Sequence, residues 1–422
     1  MSLALSETDQ AFLDGAHGPA AALAMRVVVR TAEAMQATAL LDITGAHIDS
    51  CLYHGQAGLD FAQRLADDGG QVVVPTTLNV SSLDLLHPEL YRGDDDTRIQ
   101  ARRLMEAYEQ MGCAPTWTCA PYQFDNRPGL GENVAWAESN AIVFANSALG
   151  ARTHRYGDFL DISAAITGRA PAAGLHLAEN RYGTVVFDVS GIPEALLNSD
   201  VAYPTLGHYI GKRIGSRIPV IVGVPPGLTE DRLKAIGSAG ASSGSLALFH
   251  VVGSTPEAPT LDAALGGRPP AEVVQVTSAD LRTARDQLTT SRDPHLGAIS
   301  LGTPHYSVNE FARVVEVLGD RRIHPDVKAY INTGRSVAHE IGLRGWEQRL
   351  TDAGIIIVTD TCTYITPIMS EIKGTAMTDS AKWAYYAPGN LGFDVAFGSV
   401  EDCIESAIAG RVIRNEELWG HG

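Results

Sequence analysis

Three of the five cysteines lie in short loops that hold other reactive side chains. Cys51 lies in "TGAHIDSCLYHG" with His47 and Asp49, Cys119 in "WTCAPYQF", and Cys362 in "DTCTYITPI". Such a cysteine can be a nucleophile or a metal ligand, but free cysteine is also among the most frequently buried residue types. The spacing alone leaves all three possibilities open: apolar filler, nucleophile and metal ligand.

Four residues are candidates for proton transfer. Ser380 and Lys382 stand together in "DSAKWAYYAPGN", His47 precedes Cys51, and Glu138 lies in "GENVAWAESNAIVFANSALGARTHRYGD". A lysine among aromatic side chains can be an anion holder or a group with a lowered pKa, although lysines more often extend to solvent. A carboxylate in an apolar segment must be paired, so a structural salt bridge explains Glu138 as well as catalysis does.

A second set of polar residues could bind the carboxylate of a small acid. Thr76, Thr77 and Asn79 follow a predicted strand, Arg152 follows an apolar helix, and His305 lies in "GTPHYSVNE". Arginine suits bidentate recognition of carboxylates. Hydroxyl and amide side chains at such positions can equally cap the next helix.

Known short motifs do not decide between these roles. The chain has no GxxxxGK[ST], HExxH or CxxC sequence. The residues alone therefore indicate a soluble enzyme with chemistry distributed over several loops, without naming a reaction.

Composition restricts the class of partner. The 422 residues include 49 Asp and Glu against 32 Lys and Arg, a formal charge of −17, which repels nucleic acid and anionic membranes. The five cysteines are an odd number, the amino terminus lacks the pattern of a signal peptide, and the longest apolar runs have the length of strands. We expect a cytoplasmic protein with reduced thiols.

Short apolar strands alternate with amphipathic helices along the chain. The segments "GTVVFDVSG", "IPVIVGVP", "GSLALFHVVG" and "GIIIVTDT" are typical of buried parallel strands, and "GGQVVVPTTLN" predicts a strand ending at Pro75. This pattern predicts an α/β fold with mainly parallel sheets and ligands at the carboxyl ends of strands. Composition shifts predict three regions: 1–195 with the HIDSC, PTTLN and TCAPY loops, 196–270, and 271–422 with the GTPH, DTC and SAK loops.

Taken together, these loops resemble the aconitase X family of the aconitase superfamily. The resemblance runs through "GAHIDSCLYHG", "VPTTLN", "TCAPY", "GENVAWAESNAIVFANSALGARTHR", "TGRAPAAGLHLAENR", "GTPH", "DTC", "SAKWAYYAPG" and "FGSVEDCIESAIAGR". It implies several aconitase-like α/β domains with the active site at their junction. It also implies a hydro-lyase that uses an iron–sulfur cluster as Lewis acid. The implied reaction is dehydration of cis-3-hydroxy-L-proline to Δ1-pyrroline-2-carboxylate, with dehydration of mevalonate 5-phosphate as the alternative.

The same resemblance assigns cluster ligands. Cys119 and Cys362 match positions of family cluster cysteines, whereas Thr303 stands where the phosphomevalonate branch carries a cysteine. The "HIDSCLY" loop resembles hydroxyproline-type members, which implies Cys51 as third ligand of a smaller [2Fe-2S] cluster. Cys113 is the alternative third ligand, and Cys403 is expected in the core.

The implied reaction also orders the remaining candidates. Ser380 with Lys382, then His47, then Glu138 are expected as the base that removes the α-proton. Arg152 or the Thr76–Thr77–Asn79 loop is expected to hold the carboxylate, with His305 nearby.

The alternatives make different demands on the chain. A phosphate substrate would need a basic cradle, to which Lys212 and Arg335 could contribute. If Thr303 marks the loss of the cluster, the protein is a cluster-free isomerase or a binding homologue. The carboxyl-terminal "RVIRNEELWGHG" leaves no room for the family's swivelling domain, so the resemblance implies a separate small subunit of roughly 130 residues.

Overall fold

A computed structural model describes residues 3–369 and 372–419 of the chain. The described residues form two compact units. The first contains the chain up to Leu83 together with Gly93–Tyr182, and the second contains Asp84–Arg92 and the chain from Gly183 onward.

The first unit is built around a small parallel sheet. Strand β2 (Ala46–Ile48) lies between β3 (Thr76–Leu78) and β4 (Ala135–Trp136), and both neighbours are parallel to it. Strands β1 (Leu40–Asp42) and β5 (Arg169–Pro171) pair antiparallel. The helices of this unit are α1 (Glu7–Leu13), α2 (Pro19–Ala34), α3 (Gln56–Asp67), α4 (Asp95–Gln110), α5 (Ser139–Phe144), which continues as a π-helical turn over Ala145–Leu149, and α6 (Leu160–Thr167).

Local sequence signals explain several of these boundaries. Ser6 and Asp9 form the capping box that begins α1, Pro19 occupies the first turn of α2, and Gly112 adopts a positive φ of 87° just beyond α4. The prediction of a strand ending at Pro75 is wrong, since β3 begins after that proline. The amides of Val72 and Val73 donate to the carbonyls of Met111 and Ala165, so this apolar segment pairs outside the sheet.

The second unit begins with a four-stranded sheet. Its order is β8 (His250–Val251), β7 (Pro219–Val222), β6 (Val185–Asp188) and β9 (Glu272–Gln275), all parallel. Its helices are α7 (Glu194–Leu197), α8 (Ala202–Ile214), α9 (Glu230–Ser243), α10 (Leu261–Leu265) and α11 (Ser278–Gln287). Strand β6 precedes the expected boundary at 195 and β9 follows the one at 270, yet the two strands pair.

A five-stranded parallel sheet forms the rest of this unit. Its order is β12 (Ile355–Val358), β11 (Lys328–Thr333), β10 (Leu296–Tyr306), β13 (Thr375–Thr378) and β14 (Val395–Phe397). The helices are α12 (Val308–Leu318), α13 (Arg335–Leu343), α14 (Trp346–Asp352), α15 (Ala381–Leu391) and α16 (Val400–Ala409). All of β10 is buried, because central parallel strands are covered on both faces.

The expected α/β fold with mainly parallel sheets is thus confirmed. Among the helices of the described residues, none has the length and apolar character needed to cross a lipid bilayer.

Candidate functional site

In the first unit, the buried His47 contacts the partly buried Thr77 on the small sheet. They are register partners on β2 and β3, and His47 Nδ1 lies 2.8 Å from Thr77 Oγ1. Burial lowers the pKa of His47 to about 4, although the negative charge of Glu138 opposes the shift. His47 is therefore a neutral imidazole near pH 7, and its Nε2 is buried with no hydrogen-bond partner among the described residues.

The direction of the His47–Thr77 hydrogen bond follows from Thr77's other contact. The Thr77 hydroxyl has one proton, which it donates to the Ala46 carbonyl at 3.4 Å. It then accepts from His47 Nδ1–H, which leaves the lone pair of the imidazole on Nε2. The pair thus presents a buried proton acceptor.

Two further predicted residues lie just beyond the carboxyl ends of these strands. Asn79 follows β3 and donates its amide to the carboxylate of Asp49, while its Oδ1 is buried without a partner in the described structure. Glu138 follows β4 and caps α5, accepting hydrogen bonds from Ala141 N at 2.7 Å and Ser139 Oγ at 3.0 Å. The structure therefore brings His47, Thr77, Asn79 and Glu138 to one edge of one sheet.

Thr76 and Arg152 are placed differently. Thr76 Oγ1 donates to the Val74 carbonyl at 2.8 Å, a local backbone contact. Arg152 pairs along Asn133 and Val134, ahead of β4, and its Nη1 lies 3.4 Å from the His176 carbonyl. Arg152 thus accompanies His176 at the amino end of the strand, and its Nε is buried without a partner in the described chain.

Cys51 is enclosed at the end of the β2 loop. Its thiol lies 3.4 Å from the Ile48 carbonyl, 3.5 Å from that of Asn79 and 3.9 Å from that of Val80. Burial, together with Asp49 and Asp161, raises the thiol pKa well above its ordinary value. As the structure stands, Cys51 is a neutral donor to carbonyls.

Asp161, which sequence reasoning missed, holds this loop in place. Its carboxylate accepts from the amides of Asp49 (2.9 Å) and Ser50 (3.0 Å) and from Ser50 Oγ (3.0 Å). The same hydroxyl of Ser50 lies 2.6 Å from the hydroxyl of Tyr108. Asp161 lies 111 to 112 residues from these partners, so no local sequence signal predicts the contact.

Cys119 is buried, and its backbone is fixed by a side-chain amide. Asn140 Nδ2 donates to the Cys119 carbonyl at 3.1 Å and to the Tyr122 hydroxyl at 2.8 Å. Asn140 lies on α5, two residues after the Glu138 cap. The "TCAPY" loop and the "AESN" segment are therefore joined inside the first unit.

In the second unit, Cys362 and His305 are neighbours. Both are buried, and a ring nitrogen of His305 lies within 4.8 Å of Cys362 Sγ. His305 Nε2 lies 3.0 Å from the Thr361 carbonyl, which can only accept, so Nε2 carries the proton and Nδ1 the lone pair. A cysteine sulfur beside an imidazole is a donor set suited to soft metals.

Hydrogen bonds to Asp84, from an early part of the chain, support the Cys362 loop. Asp84 accepts from Thr359 N at 2.9 Å and from Thr359 Oγ1 at 3.0 Å, 275 residues away, as well as from the amides of Leu86 and His87. Arg335 binds Asp360 through two hydrogen bonds of 2.6 and 2.8 Å. The sequence did not mark Asp84, although the Asp84–His87 spacing is typical of a capped turn.

Ser380, just beyond β13, contacts Thr303 within β10. Ser380 caps α15 by accepting from Trp383 N at 3.0 Å, and its hydroxyl donates to the Thr303 carbonyl. The hydroxyl proton of Ser380 is therefore committed. Lys382 lies in the first turn of α15 and is buried.

The two candidates for a phosphate cradle have other contacts. Arg335 pairs with Asp360, and Lys212 Nζ lies 4.9 Å from the centre of the Tyr385 ring. Neither contact supports a basic cluster.

Comparison with known proteins gives three consecutive family matches. The models of the aconitase X first, second and third domains match residues 2–179, 183–286 and 296–409. A crystal structure of Thermococcus kodakaraensis aconitase X in its holo form superposes with a TM-score of 0.86 at 31% identity, covering 96% of this chain and 100% of that one.

Curated relatives are dehydratases. The chain is 43% identical over 98% of its length to cis-3-hydroxy-L-proline dehydratase of Pseudomonas aeruginosa, of which it covers 72%. The corresponding Hypocrea jecorina enzyme is 42% identical over 97% of the chain and is covered over 69% of its length. The phosphomevalonate dehydratase large subunit of Methanothermobacter thermautotrophicus is 36% identical over 93% of the chain, and 96% of it is covered.

Proposed function

The chain belongs to the aconitase X family, and on that premise we propose that it dehydrates cis-3-hydroxy-L-proline to Δ1-pyrroline-2-carboxylate. The observation that carries this substrate is the 43% identity to a curated cis-3-hydroxy-L-proline dehydratase, against 36% to a phosphomevalonate dehydratase large subunit. The expected family and the expected hydro-lyase activity are both confirmed.

The chemistry of the buried donors suits an iron–sulfur cluster, which we propose as a [2Fe-2S] cluster. Cys119 and Cys362 are the proposed thiolate ligands, with Cys51 as the third. The proximity of His305 to Cys362 supports His305 as a competing third ligand, because the Cys51 thiol is already directed at three carbonyls. When bound, the cluster supplies Lewis-acid assistance to the departing hydroxyl group.

The proton acceptor we propose is His47. Its Nε2 carries the lone pair, is buried without a partner in the described chain, and is oriented through Nδ1 by Thr77. Ser380 is less suitable, because its hydroxyl already donates to the Thr303 carbonyl. Lys382 and Glu138 remain the other candidates.

The side-chain oxygen of Asn79 can accept a hydrogen bond from the ring N–H of the substrate. Its Nδ2 is used by Asp49, so its buried Oδ1 is available to an N–H donor. We infer that Asn79 orients the pyrrolidine N–H groups, whereas Arg152 remains the proposal for the carboxylate. His305 would contribute to substrate binding only if it does not bind iron.

A separate small swivelling-domain subunit is part of the proposal. Relatives named as large subunits match this chain over nearly their whole length, up to 99%. A cytoplasmic location is inferred from the five cysteines, none of which forms a disulfide in the described residues.

One experiment tests the reaction and the ligand set together. The protein is purified anaerobically with and without a small partner, iron and sulfide are quantified, and turnover of cis-3-hydroxy-L-proline and mevalonate 5-phosphate is compared. Cys119→Ser and Cys362→Ser should each remove iron and turnover, whereas Cys403→Ser, in the core of α16, should remove neither. Cys51→Ser and His305→Gln then identify the third ligand by which of them loses iron.

Other results would redirect the assignment. Turnover of mevalonate 5-phosphate without turnover of cis-3-hydroxy-L-proline would assign the protein to the phosphomevalonate branch. Iron-free protein that still converts the hydroxyproline would establish cluster-free chemistry, and iron-free inactive protein under anaerobic loading would indicate a binding homologue.

A further inference from the structure

Residues 84–92 form a segment of the second unit that lies between two stretches of the first unit along the chain. The first unit takes the chain up to Leu83 and again from Gly93. Apart from a 3₁₀ turn at Pro88–Leu90, this segment, which the structure describes throughout, has no helix or strand of its own. Its place is therefore set by its hydrogen bonds to other parts of the second unit.

The carboxylate of Asp84 is the most heavily bonded group of this segment. Asp84 is 4% exposed, and its Oδ1 accepts from the amides of Leu86 at 2.9 Å and His87 at 2.8 Å. The same oxygen accepts from Thr359 Oγ1 at 3.0 Å, while Oδ2 accepts from the Thr359 amide at 2.9 Å and lies 3.0 Å from His87 Nδ1. Burial raises the pKa of Asp84, but the hydrogen bonds from His87 and Thr359 outweigh it and lower the pKa below its ordinary value. Asp84 is therefore ionised at neutral pH and accepts from every one of these partners.

The 84–92 segment holds both ends of the loop of residues 359–367, which carries a proposed cluster cysteine. At the start of the loop, next to the contact of Asp84, the amide of Leu85 donates to Asp360 Oδ2 at 3.1 Å. At the end of the loop, the amide of Arg92 donates to the Pro367 carbonyl at 2.7 Å. The loop is thus fixed from outside before and after its cysteine.

The start of this loop has a backbone conformation that depends on such contacts. Asp360 has a φ of +60°, in the left-handed region that residues other than glycine seldom adopt. Arg335 binds its carboxylate at 2.6 and 2.8 Å, in addition to the bond from Leu85. A residue in this region keeps its conformation only when its surroundings impose it. Cys362 follows two residues later, so relaxation of Asp360 would displace the thiol.

We propose that Asp84 is a positioning residue for the iron–sulfur cluster: through Thr359 it fixes the start of the loop, so that Cys362 occupies its ligand position before the cluster binds. The inference rests on the proposed function, in which Cys362 is a cluster ligand. Residues that hold metal ligands in place commonly contribute about 10- to 100-fold to metal affinity.

The first measurement needs no cluster. The iron-free chain is treated with iodoacetamide, and the alkylation rates of Cys362 and Cys403 are followed in their peptides by mass spectrometry. Cys362 is 1% exposed and Cys403 is 0% exposed, so each thiol reacts only when its surroundings open. Cys403 lies in α16 of the same unit and reports any general loss of stability.

Asp84→Asn should raise the alkylation rate of Cys362 at least about 10-fold and change that of Cys403 less than about 2-fold. The amide keeps the shape of the side chain but directs an NH₂ group at partners that are all donors. Asp94→Asn is the matched control, because Asp94 caps α4 by accepting from the Thr97 amide at 2.8 Å, and asparagine caps helices equally well. The control should leave both rates unchanged.

Substitutions of Thr359 test the same contact from its other side, and they serve alone if Asp84→Asn does not fold. Thr359→Val keeps the shape and removes the Oγ1 donor, and should accelerate alkylation of Cys362 at least about 3-fold. Thr359→Ser keeps the hydroxyl donor and should react like the parent.

The second measurement uses the chain loaded with iron and sulfide under anaerobic conditions. Iron release to a ferrous chelator should be at least about 10-fold faster from Asp84→Asn than from the parent or Asp94→Asn. Cys362→Ser tests the premise and should fail to retain the parent's iron.

Three results would overturn the positioning role. They are parent-like alkylation of Cys362 in Asp84→Asn and Thr359→Val, equal acceleration at Cys362 and Cys403, and unchanged iron release from variants in which Cys362 alkylation is accelerated. Full retention of iron by Cys362→Ser would instead refute the ligand assignment in the proposed function, and the positioning role with it.

Discussion

At the scale of single residues, the environment of His47 decides its chemistry. A histidine with a protonated Nδ1 and a buried, unpartnered Nε2 is oriented like a general base, whereas a core histidine has both nitrogens satisfied. Its lowered pKa keeps the imidazole neutral over the physiological range. The lowered pKa also makes His47 a weaker base. A Lewis acid that assists the leaving hydroxyl group can compensate for this weaker basicity.

His47→Gln should reduce kcat by about 10²- to 10⁴-fold, because the proton acceptor is lost while the side-chain volume is nearly kept. Steady-state turnover is measured together with iron content and with exchange of the substrate α-hydrogen in D₂O. Iron should be unchanged and exchange abolished. His54→Gln, at an exposed position of the same loop, is the control and should behave as the parent. Undiminished exchange in His47→Gln would assign the base elsewhere.

His176 predicts a specific dependence of stability on pH. Burial, then His154, Arg181 and Arg152, lowers the pKa of His176 to about 3, while Tyr156 and Asn133 bind its two nitrogens. The unfolded chain takes up this proton near pH 6.5 and the folded chain does not, so stability is lost as pH falls below 6.5. Between pH 7.5 and pH 5 the free energy of unfolding should fall by about 2 kcal/mol because of this residue.

Urea denaturation at both pH values measures that loss. In the parent, the free energy of unfolding should fall between pH 7.5 and pH 5, and in His176→Gln this fall should be smaller by about 2 kcal/mol. In His339→Gln, at an exposed site, the fall should equal the parent's. An unchanged difference in His176→Gln would show that His176 protonates normally in the folded protein.

At the scale of elements, α8 and α9 approach each other through glycines. A Cβ on Gly207 would lie 2.3 Å from the Ile236 carbonyl oxygen, and one on Gly244 would lie 2.0 Å from that of Gly211. Lys234 of α9 lies against strand β10, with its Nζ 3.4 Å from the His305 carbonyl.

Gly207→Ala should destabilise the chain by about 2–4 kcal/mol, because the obstructing atom is backbone and must be displaced. Gly58→Ala is the matched control: Gly58 lies inside α3, and a Cβ there meets nothing within 4 Å. The control should stabilise by about 0.5–1 kcal/mol, since alanine is the better helix former. Thermal and urea unfolding give both values, and equal effects of the two substitutions would contradict the packing argument.

Across the whole molecule, the sequence predicts which loops carry polar residues better than it predicts the long-range contacts that hold those loops. The parallel α/β pattern and the positions of Asn79 and Cys362 after strands follow from the hydrophobic periodicity and the turn residues of the sequence. The bracing of Thr359 by Asp84 spans 275 residues and depends on the tertiary fold. Local pattern cannot show such contacts, and it also misjudged the segment before Pro75, whose amides pair with other parts of the unit.

If the proposed small subunit completes the enzyme, turnover by this chain should depend on that subunit. Closure by a second domain excludes water and orients the substrate, so the chain alone should turn over cis-3-hydroxy-L-proline at least about 100-fold more slowly than the chain with its partner. The part of the Pseudomonas aeruginosa dehydratase outside the matched 72% can be supplied as a separate polypeptide. Turnover is then titrated against this polypeptide, with Cys362→Ser chain as the control that should stay inactive at every concentration. Saturable activation would establish the two-part enzyme. Full turnover by the chain alone, with no response to the added domain, would show that this chain closes its own active site.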